Sequence, residues 1–298
     1  MSIVFIKLGG SLITNKREQE SARKDVLDRL GVEIAAALKK DPSLRGRLII
    51  GHGAGSFGHT YAAKYGIRAG CKNEEQWKGY TLTADAVGQL NRIVLDSLLK
   101  AGLPVWQIQP GASIMCRDGH IVEGPIDTVV AALERGLVPV VHGDMALDAT
   151  RGGVVCSTEE VFGHLLERLP GATAGRRRPG RMVLAGEVDG IFTADPQVTP
   201  GAEPIPEITK ASYEGFKAGF GGAHGVDVTG GMAKKVQQAL QYSEDYSIDV
   251  IVCGGLVENN VTSALLKPSA KCPGTLVRAD PSSVQNEENS SAGGCTIC

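Results

Sequence analysis

The segment Gly51-His52-Gly53-Ala54-Gly55-Ser56-Phe57-Gly58-His59 is the part of the chain best suited to hold a charged ligand. Four of its nine residues are glycine, so the backbone can turn sharply and a ligand can approach its N–H groups. Successive N–H groups in such a turn form a concavity that suits phosphate oxygens. His59 closes the run, and an imidazolium there would bind an anion at neutral pH. By itself the pattern also fits an ordinary glycine-rich turn. A second turn, Gly9-Gly10-Ser11, directly follows the apolar stretch Ile3 to Leu8, which only Lys7 interrupts. That layout presents backbone donors to phosphate, although it is neither a Walker A loop nor a complete G-x-G-x-x-G. Lys7 either reaches solvent from a strand end or aims a cation at bound phosphates, because lysine is rarely buried without a partner. Lys16 follows in the polar loop Thr14-Asn15-Lys16-Arg17. Lys234 and Lys235 fall in the first turn of an expected helix, where cations oppose the dipole and an anionic ligand would offset the cost.

These groups need a frame, and the apolar spacing supplies one. Strands are expected at Ile3–Leu8, Leu48–Ile50, Val105–Ile108, Leu137–Val141, Met182–Ala185, Ile248–Cys253 and Thr275–Val277. Helical periodicity marks Asp25–Lys40, Thr83–Ala101, Asp127–Arg135, Thr209–Lys217, Met232–Tyr242 and Asn260–Leu266. Ser157-Thr158-Glu159-Glu160 has the form of a capping box and opens a helix to about Leu169. Asp118-Gly119 predicts a tight hairpin turn. Tyr61 to Gly79 carries no clear period. Alternation of strands and helices implies an α/β sandwich with a largely parallel central sheet. In such sheets ligands sit beyond the carboxyl ends of the strands, which is where His142-Gly143-Asp144 falls. Gly171 to Arg181, rich in Gly, Arg and Pro, is the expected connector between two lobes, 1–180 and 181–279. Gly219 to Gly231 reads as a ligand-hugging or flexible loop. The polar segment 280–298 reads as a disordered tail.

Composition excludes several classes. A net charge of −2 offers no global basic field for nucleic acid. No apolar run approaches the roughly 18 residues of a membrane span. Seven cysteines, an odd number and mostly far apart, suit reduced thiols in a cytoplasmic protein. The N-terminus has no signal-peptide pattern. Cys295-Thr296-Ile297-Cys298 has only the outline of a prenylation box, with an unusual last residue.

Four motifs stand in one order: Lys7-Leu8-Gly9-Gly10-Ser11, the Gly51–His59 loop, Val188 to Pro196, and Thr229-Gly230-Gly231-Met232-Ala233-Lys234-Lys235. Together they resemble the amino acid kinase family over about residues 3 to 278, and the set is specific where no single member is. Within it, Gly-Ser-Phe-Gly-His and Asp227-Val228-Thr229-Gly230-Gly231-Met232 are similar to members that transfer the ATP γ-phosphoryl group to isopentenyl phosphate. The resemblance implies an amino acid kinase-like αβα sandwich with an N-terminal acceptor lobe and a C-terminal nucleotide lobe. It implies that Lys7, Leu8, Gly9, Gly10 and Ser11 hold ATP phosphates and that Lys16 stabilises the transferring group. It further implies Gly55, Asp189, Gly231 and Lys235 on the nucleotide side, and Ala54, His59 and Gly143 on the acceptor side. ATP with Mg²⁺ and a homodimer are implied in the same way. No dedicated metal ligand stands out; Asp144 is a candidate that fits a loop cap equally well. Tyr80, Val87, Ile93 and Val94 could wall an apolar pocket, though their helical spacing also fits plain core. The rivals are a family kinase acting on a phosphonate, UMP or an amino acid, and a non-catalytic nucleotide or small-ligand sensor.

Overall fold

The computed structural model describes residues 2–194, 196, 199–219 and 231–280. The expected loop between Gly219 and Gly231, the tail beyond Asp280, Asp195, and Cys295 with Cys298 lie outside the described residues.

Strand β1 (Ser2–Leu8) runs through the middle of the main sheet. Its side chains alternate between two cores: Val4, Ile6 and Leu8 enter one, Ile3 and Phe5 the other. A strand covered on both faces is apolar in both registers, which is why this segment reads as a continuous run. β2 (Leu48–His52) repeats the pattern, with Leu48 and Ile50 on the first face and Ile49 on the second. The strands that follow are β3 (Val105–Gln107), β4 (Met115–Arg117), β5 (His120–Glu123), β6 (Val138–His142), β7 (Asp144–Asp148) and β8 (Gly152–Cys156). Then come β9 (Arg178–Gly186), β10 (Ile191–Phe192), β11 (Pro204–Ile205), β12 (Glu207–Ile208), β13 (Asp249–Gly254) and β14 (Thr275–Val277). Eight strands form one sheet in the order β12-β14-β13-β9-β1-β2-β6-β3. Only the β13–β14 pairing in it is antiparallel. A second sheet has the order β5-β4-β7-β8, and β10 with β11 makes a small ribbon.

The helices are α1 (Gly10–Ile13), α2 (Lys24–Lys40), α3 (Gly55–Lys64), α4 (Glu74–Lys100) and α5 (Pro110–Ser113). They continue with α6 (Ile126–Glu134), α7 (Thr158–Ala172), α8 (Lys210–Gly219), α9 (Gly231–Tyr246) and α10 (Asn260–Leu266). α2, α3, α4 and α10 supply the first core, and α6, α7, α8 and α9 the second. The result is the expected αβα sandwich with a largely parallel sheet. Among the described residues no helix is long and apolar enough to cross a membrane.

Three local expectations change. α4 begins at Glu74, nine residues before the expected Thr83, because Asn73 caps it by accepting Gln76 N–H at 2.9 Å. Its first turns pack Trp77 and Tyr80 on a separate small cluster with Ala62, Ile67 and Met145, so the stripe of the main core does not extend there. β9 begins at Arg178 inside the expected connector, pairing Arg178 with Ser2 of β1. The Arg177 guanidinium donates to the Gly46 carbonyl. The hairpin strand before Asp118-Gly119, expected over Ala112 to Cys116 from the sequence, starts only at Met115, because Ala112 and Ser113 close the short helix α5. The Asp118-Gly119 turn itself forms as expected, both residues having positive φ.

β2 and β6 end in paired histidines, His52 opposite His142, with rings stacked 5.3 Å apart and 6° from parallel. Both are fully buried. His52 donates from Nδ1 toward Gly53 O at 3.2 Å and meets the Asn91 side-chain amide at 3.0 Å through Nε2. His142 makes no hydrogen bond, its Nε2 standing 3.5 Å from Asp144 Oδ2. Burial holds both imidazoles below their ordinary value of 6.5, so they are neutral in the folded chain.

Replacing Asn73 with alanine should cost about 1 kcal/mol, the usual worth of such a cap, read as a lower melting temperature with unchanged circular dichroism at 25 °C. On unfolding, the two histidines regain their ordinary affinity for protons. Stability should therefore be full above pH 6.5 and fall as the pH drops below it. Asp144, held above the ordinary carboxylate value by burial, opposes this fall as it takes up its proton in the folded chain. His142→Leu should shrink the acid fall by about one proton's share. Parallel melting-temperature profiles for the two proteins between about pH 7 and 5 would contradict this.

Candidate active site

The carboxyl ends of β1, β2 and β6 lie side by side, with Leu8 opposite His52 and His52 opposite His142. The two glycine turns leave these ends and meet. A Cβ on Gly10 would sit 2.5 Å from Gly55 N, and one on Gly53 would sit 2.8 Å from Gly10 N. Only glycine permits that approach of backbone to backbone. Gly53 N–H donates to Leu8 O at 3.0 Å. Thr14 completes the joint, donating to Gly10 O at 2.8 Å and accepting Ser56 N–H at 3.1 Å. β2 runs on through His52 and α3 starts at Gly55, so the loop proper is only Gly53-Ala54. His59 accordingly stands on a helix rather than at a loop end. The start of α3 at this joint suits anions, through its backbone donors and dipole.

Lys7 lies opposite Gly51 in the β1–β2 register. A Cβ on Gly51 would sit 2.5 Å from Phe162 Cζ and 2.6 Å from Thr158 Cγ2. The missing side chain therefore lets α7 press against the sheet at that point. The start of α7 is set by the capping box, with Ser157 Oγ accepting Glu160 N–H at 3.1 Å. Thr158 Oγ1 also donates to His52 O at 2.6 Å. This places the Glu159 carboxylate on the Lys7 ammonium. Lys16 is held in the same manner by Glu187, Nζ to Oε2 2.8 Å, and Arg23 approaches the other oxygen of Glu187 at 3.4 Å.

A cleft of about 620 Å³ opens above these turns. It brings together Lys7, Gly9, Gly10, Ser11 and Lys16 from the first motif region with Ala54, Gly55 and His59 from the second. Gly143 and Lys235 complete the expected set on its wall. Leu8 does not reach the cleft: its side chain is fully buried in the first core, and its part is the carbonyl that holds Gly53. Asp189 packs against the backbone of Gly254 at the end of β13, away from this cleft. Gly231 is the first residue of α9. Of the four proposed apolar walls, Val87 lines the cleft. Val94 belongs to the main core, Ile93 packs against it, and Tyr80 sits on the small cluster. Ala62, Met145 and Val155 supply the rest of the apolar lining.

The electrostatics differ from the expectation in one respect. His59 is pushed below its ordinary value, first by partial burial and then by the charges of Arg68 and Lys7, so the free imidazole is not the standing cation that its sequence position suggested. Lys235 is lowered as well, by desolvation and by Lys7 and Lys16. An arriving anion relieves both effects. Asp144 lines the cleft, but its oxygens accept Gly111 N–H at 3.0 Å and Met145 N–H at 2.8 Å, which makes it a loop cap. Among the described residues no cluster of three or more His, Cys, Asp or Glu could hold a metal ion.

Sequence reasoning passed over Glu159, Glu187 and Arg68 as site residues. Glu159 was visible only as part of a capping box, and Glu187 only as a residue after a strand. Neither position signals which lysine it will meet.

The family model "Amino acid kinase family" matches residues 2–254. An isopentenyl phosphate kinase of Methanothermobacter thermautotrophicus is 36% identical over 271 residues, covering 89% of this chain and 95% of that one. One from Methanocaldococcus jannaschii is 31% identical, with 89% and 95% covered. A solved isopentenyl phosphate kinase structure superposes with a TM-score of 0.73 at 32% identity, covering 92% of this chain and 99% of that one. With its paired glycine turns, its lysines at the strand ends and a match across most of its length, this chain belongs to the amino acid kinase family.

Proposed function

We propose that this protein transfers the γ-phosphoryl group of ATP to isopentenyl phosphate, giving isopentenyl diphosphate. One observation carries the reading: a single cleft gathers three cations, Lys7, Lys16 and Lys235, with the His59 ring and with the apolar side chains of Ala62, Val87, Met145 and Val155. The cations suit phosphates and the apolar side chains a short hydrocarbon tail. The relatives named isopentenyl phosphate kinases agree with that combination.

ATP supplies the phosphoryl group. The acceptor phosphate is already ionised at neutral pH, so no general base is needed. The protein's task is to bring two anions into line and neutralise their repulsion. Lys7, with the Gly9-Gly10-Ser11 turn and Gly55, is assigned to the donor phosphates. Lys235, Gly231 and Asp189 are assigned to the nucleotide side. Lys16 is assigned to the group in transfer, and Ala54, His59 and Gly143 to the acceptor. Glu159 and Glu187 hold Lys7 and Lys16 in place until phosphate oxygens replace or join them. Mg²⁺ enters this scheme with the nucleotide phosphates, a common mode for a cation that keeps several waters. Division into an acceptor lobe through residue 180 and a nucleotide lobe after it, a homodimer and a cytoplasmic location belong to the same proposal.

The direct test is ADP release with Mg-ATP and a panel of acceptors: isopentenyl phosphate, dimethylallyl phosphate, fosfomycin, UMP, glutamate and aspartate. Saturable turnover on isopentenyl phosphate, alone or with its isomer, is expected. Turnover only on fosfomycin or UMP would keep the phosphate site and discard the tail pocket; silence on all six would favour a sensor. His59→Ala should lower kcat/KM on the order of 100-fold while melting like the parent, since its ring lines the cleft. Near-parent turnover would remove His59 from the site. Glu159→Gln should lower kcat roughly 100-fold through misplacement of Lys7, with the overall fold retained. An unchanged kcat would show that Lys7 needs no partner.

A further inference from the structure

The acceptor assignments leave a charge problem. A phosphomonoester carries close to two negative charges at neutral pH, and the ring of His59 is neutral in the free chain because it is partly buried among cations. Lys7 and Lys16 are both engaged by carboxylates. Lys235 enters the cleft from α9, on the side assigned to the nucleotide. Arg68 is the remaining cation on the cleft wall, and among the described residues it makes no ion pair.

Its placement is built rather than incidental. Arg68 stands on a short 3-10 turn, Ile67–Ala69, just after α3, the helix that carries His59. Gly66, with φ of +61°, and Gly70, with φ of +118°, bracket this turn in backbone conformations that favour glycine. Ile67 is fully buried in the small cluster with Ala62, Cys71 and Met145. A Cβ on Gly70 would sit 2.7 Å from Arg151 O, and Cys71 N–H donates to that same carbonyl at 3.0 Å. The turn is thus pinned from below and behind, and the arginine side chain is left on the cleft wall. Arg68 also lies close enough to depress the protonation of His59.

We infer that Arg68 is an acceptor-binding residue whose guanidinium, together with His59, holds the phosphate of the monophosphate substrate. This assignment rests on the acceptor reading above. A guanidinium suits the role: it is always charged and offers a planar fork of donors to two phosphate oxygens. A bound dianion would also offset the cationic field that adds to partial burial in keeping His59 neutral. His59 then takes up a proton as the acceptor binds and adds a second charge-assisted hydrogen bond.

The test compares the parent protein with Arg68→Gln and Arg68→Lys. Loss of charge-assisted hydrogen bonds predicts a roughly ten- to hundredfold rise in KM for isopentenyl phosphate in Arg68→Gln, with KM for ATP near the parent value. Arg68→Lys should recover part of the loss. NMR titration of His59 in the ligand-free proteins should show a higher pKa in Arg68→Gln, because a positive charge has been removed. Calorimetry with isopentenyl phosphate and with inorganic phosphate gives an independent measure. Weakened binding of both in Arg68→Gln supports the assignment, and equal binding overturns it. If the parent fails to turn over isopentenyl phosphate, the functional reading falls, and the inorganic phosphate titration still decides whether Arg68 belongs to an anion site.

Discussion

An ammonium group near the end of a strand buried on both faces must be paired, solvated or neutralised. Lys7 is in that position, and its side chain is only 15% exposed. Burying a lone charge costs several kcal/mol, whereas a partner about 4 Å away returns about 4 kcal/mol at an effective dielectric near 20. Pairing with Glu159 therefore decides the local structure. It holds the ammonium at the wall of the cleft. It also ties the N-terminus of α7 to the carboxyl end of β1, and the remaining cleft geometry depends on that link.

The link exists because of what is missing beside it. Gly51 faces Lys7 across the β1–β2 ladder, and any side chain there would strike Phe162 and Thr158. The absent Cβ lets α7 seat deeply, and the Ser157–Glu160 capping box sets which residue of α7 lands on Lys7. The Gly10–Gly55 approach works by the same principle at the other side of the site. Two backbone turns with no side chains between them make a rigid floor of donors. The cations above it are held by Glu159 and Glu187 before any ligand arrives. Preorganised charge of this kind suits phosphoryl transfer, where the protein has little covalent work to do.

The histidines show how burial divides one residue type into different roles. His52 and His142 are stacked behind the cleft as neutral rings, part of the seam between β2 and β6. His59, seven residues beyond His52, lines the cleft and feels Arg68 and Lys7. Nothing in the local pattern separates His52 from His59 except which face of the chain turns inward. The same holds for Val87 and Val94, which share a helical stripe: the first reaches the cleft and the second stays in the core.

The chain by itself determined the alternation of strands and helices, because strands covered on both faces and amphipathic helices carry distinct apolar periods. It also determined the glycine turns and the lysines that interrupt apolar runs, because such residues are costly where they stand unless a ligand or close packing compensates. Four ordered motifs were enough to indicate the family. The tertiary structure decided what those residues meet. Glu159 lies 152 positions from Lys7 and Glu187 far from Lys16, and sequence separation carries no information about such pairings. The early start of α4 was hidden because its first turns pack on a cluster other than the main core. Arg68 had no signal at all. Its position on the cleft wall follows from a buried Ile67 and two glycine conformations, which are properties of packing and not of pattern.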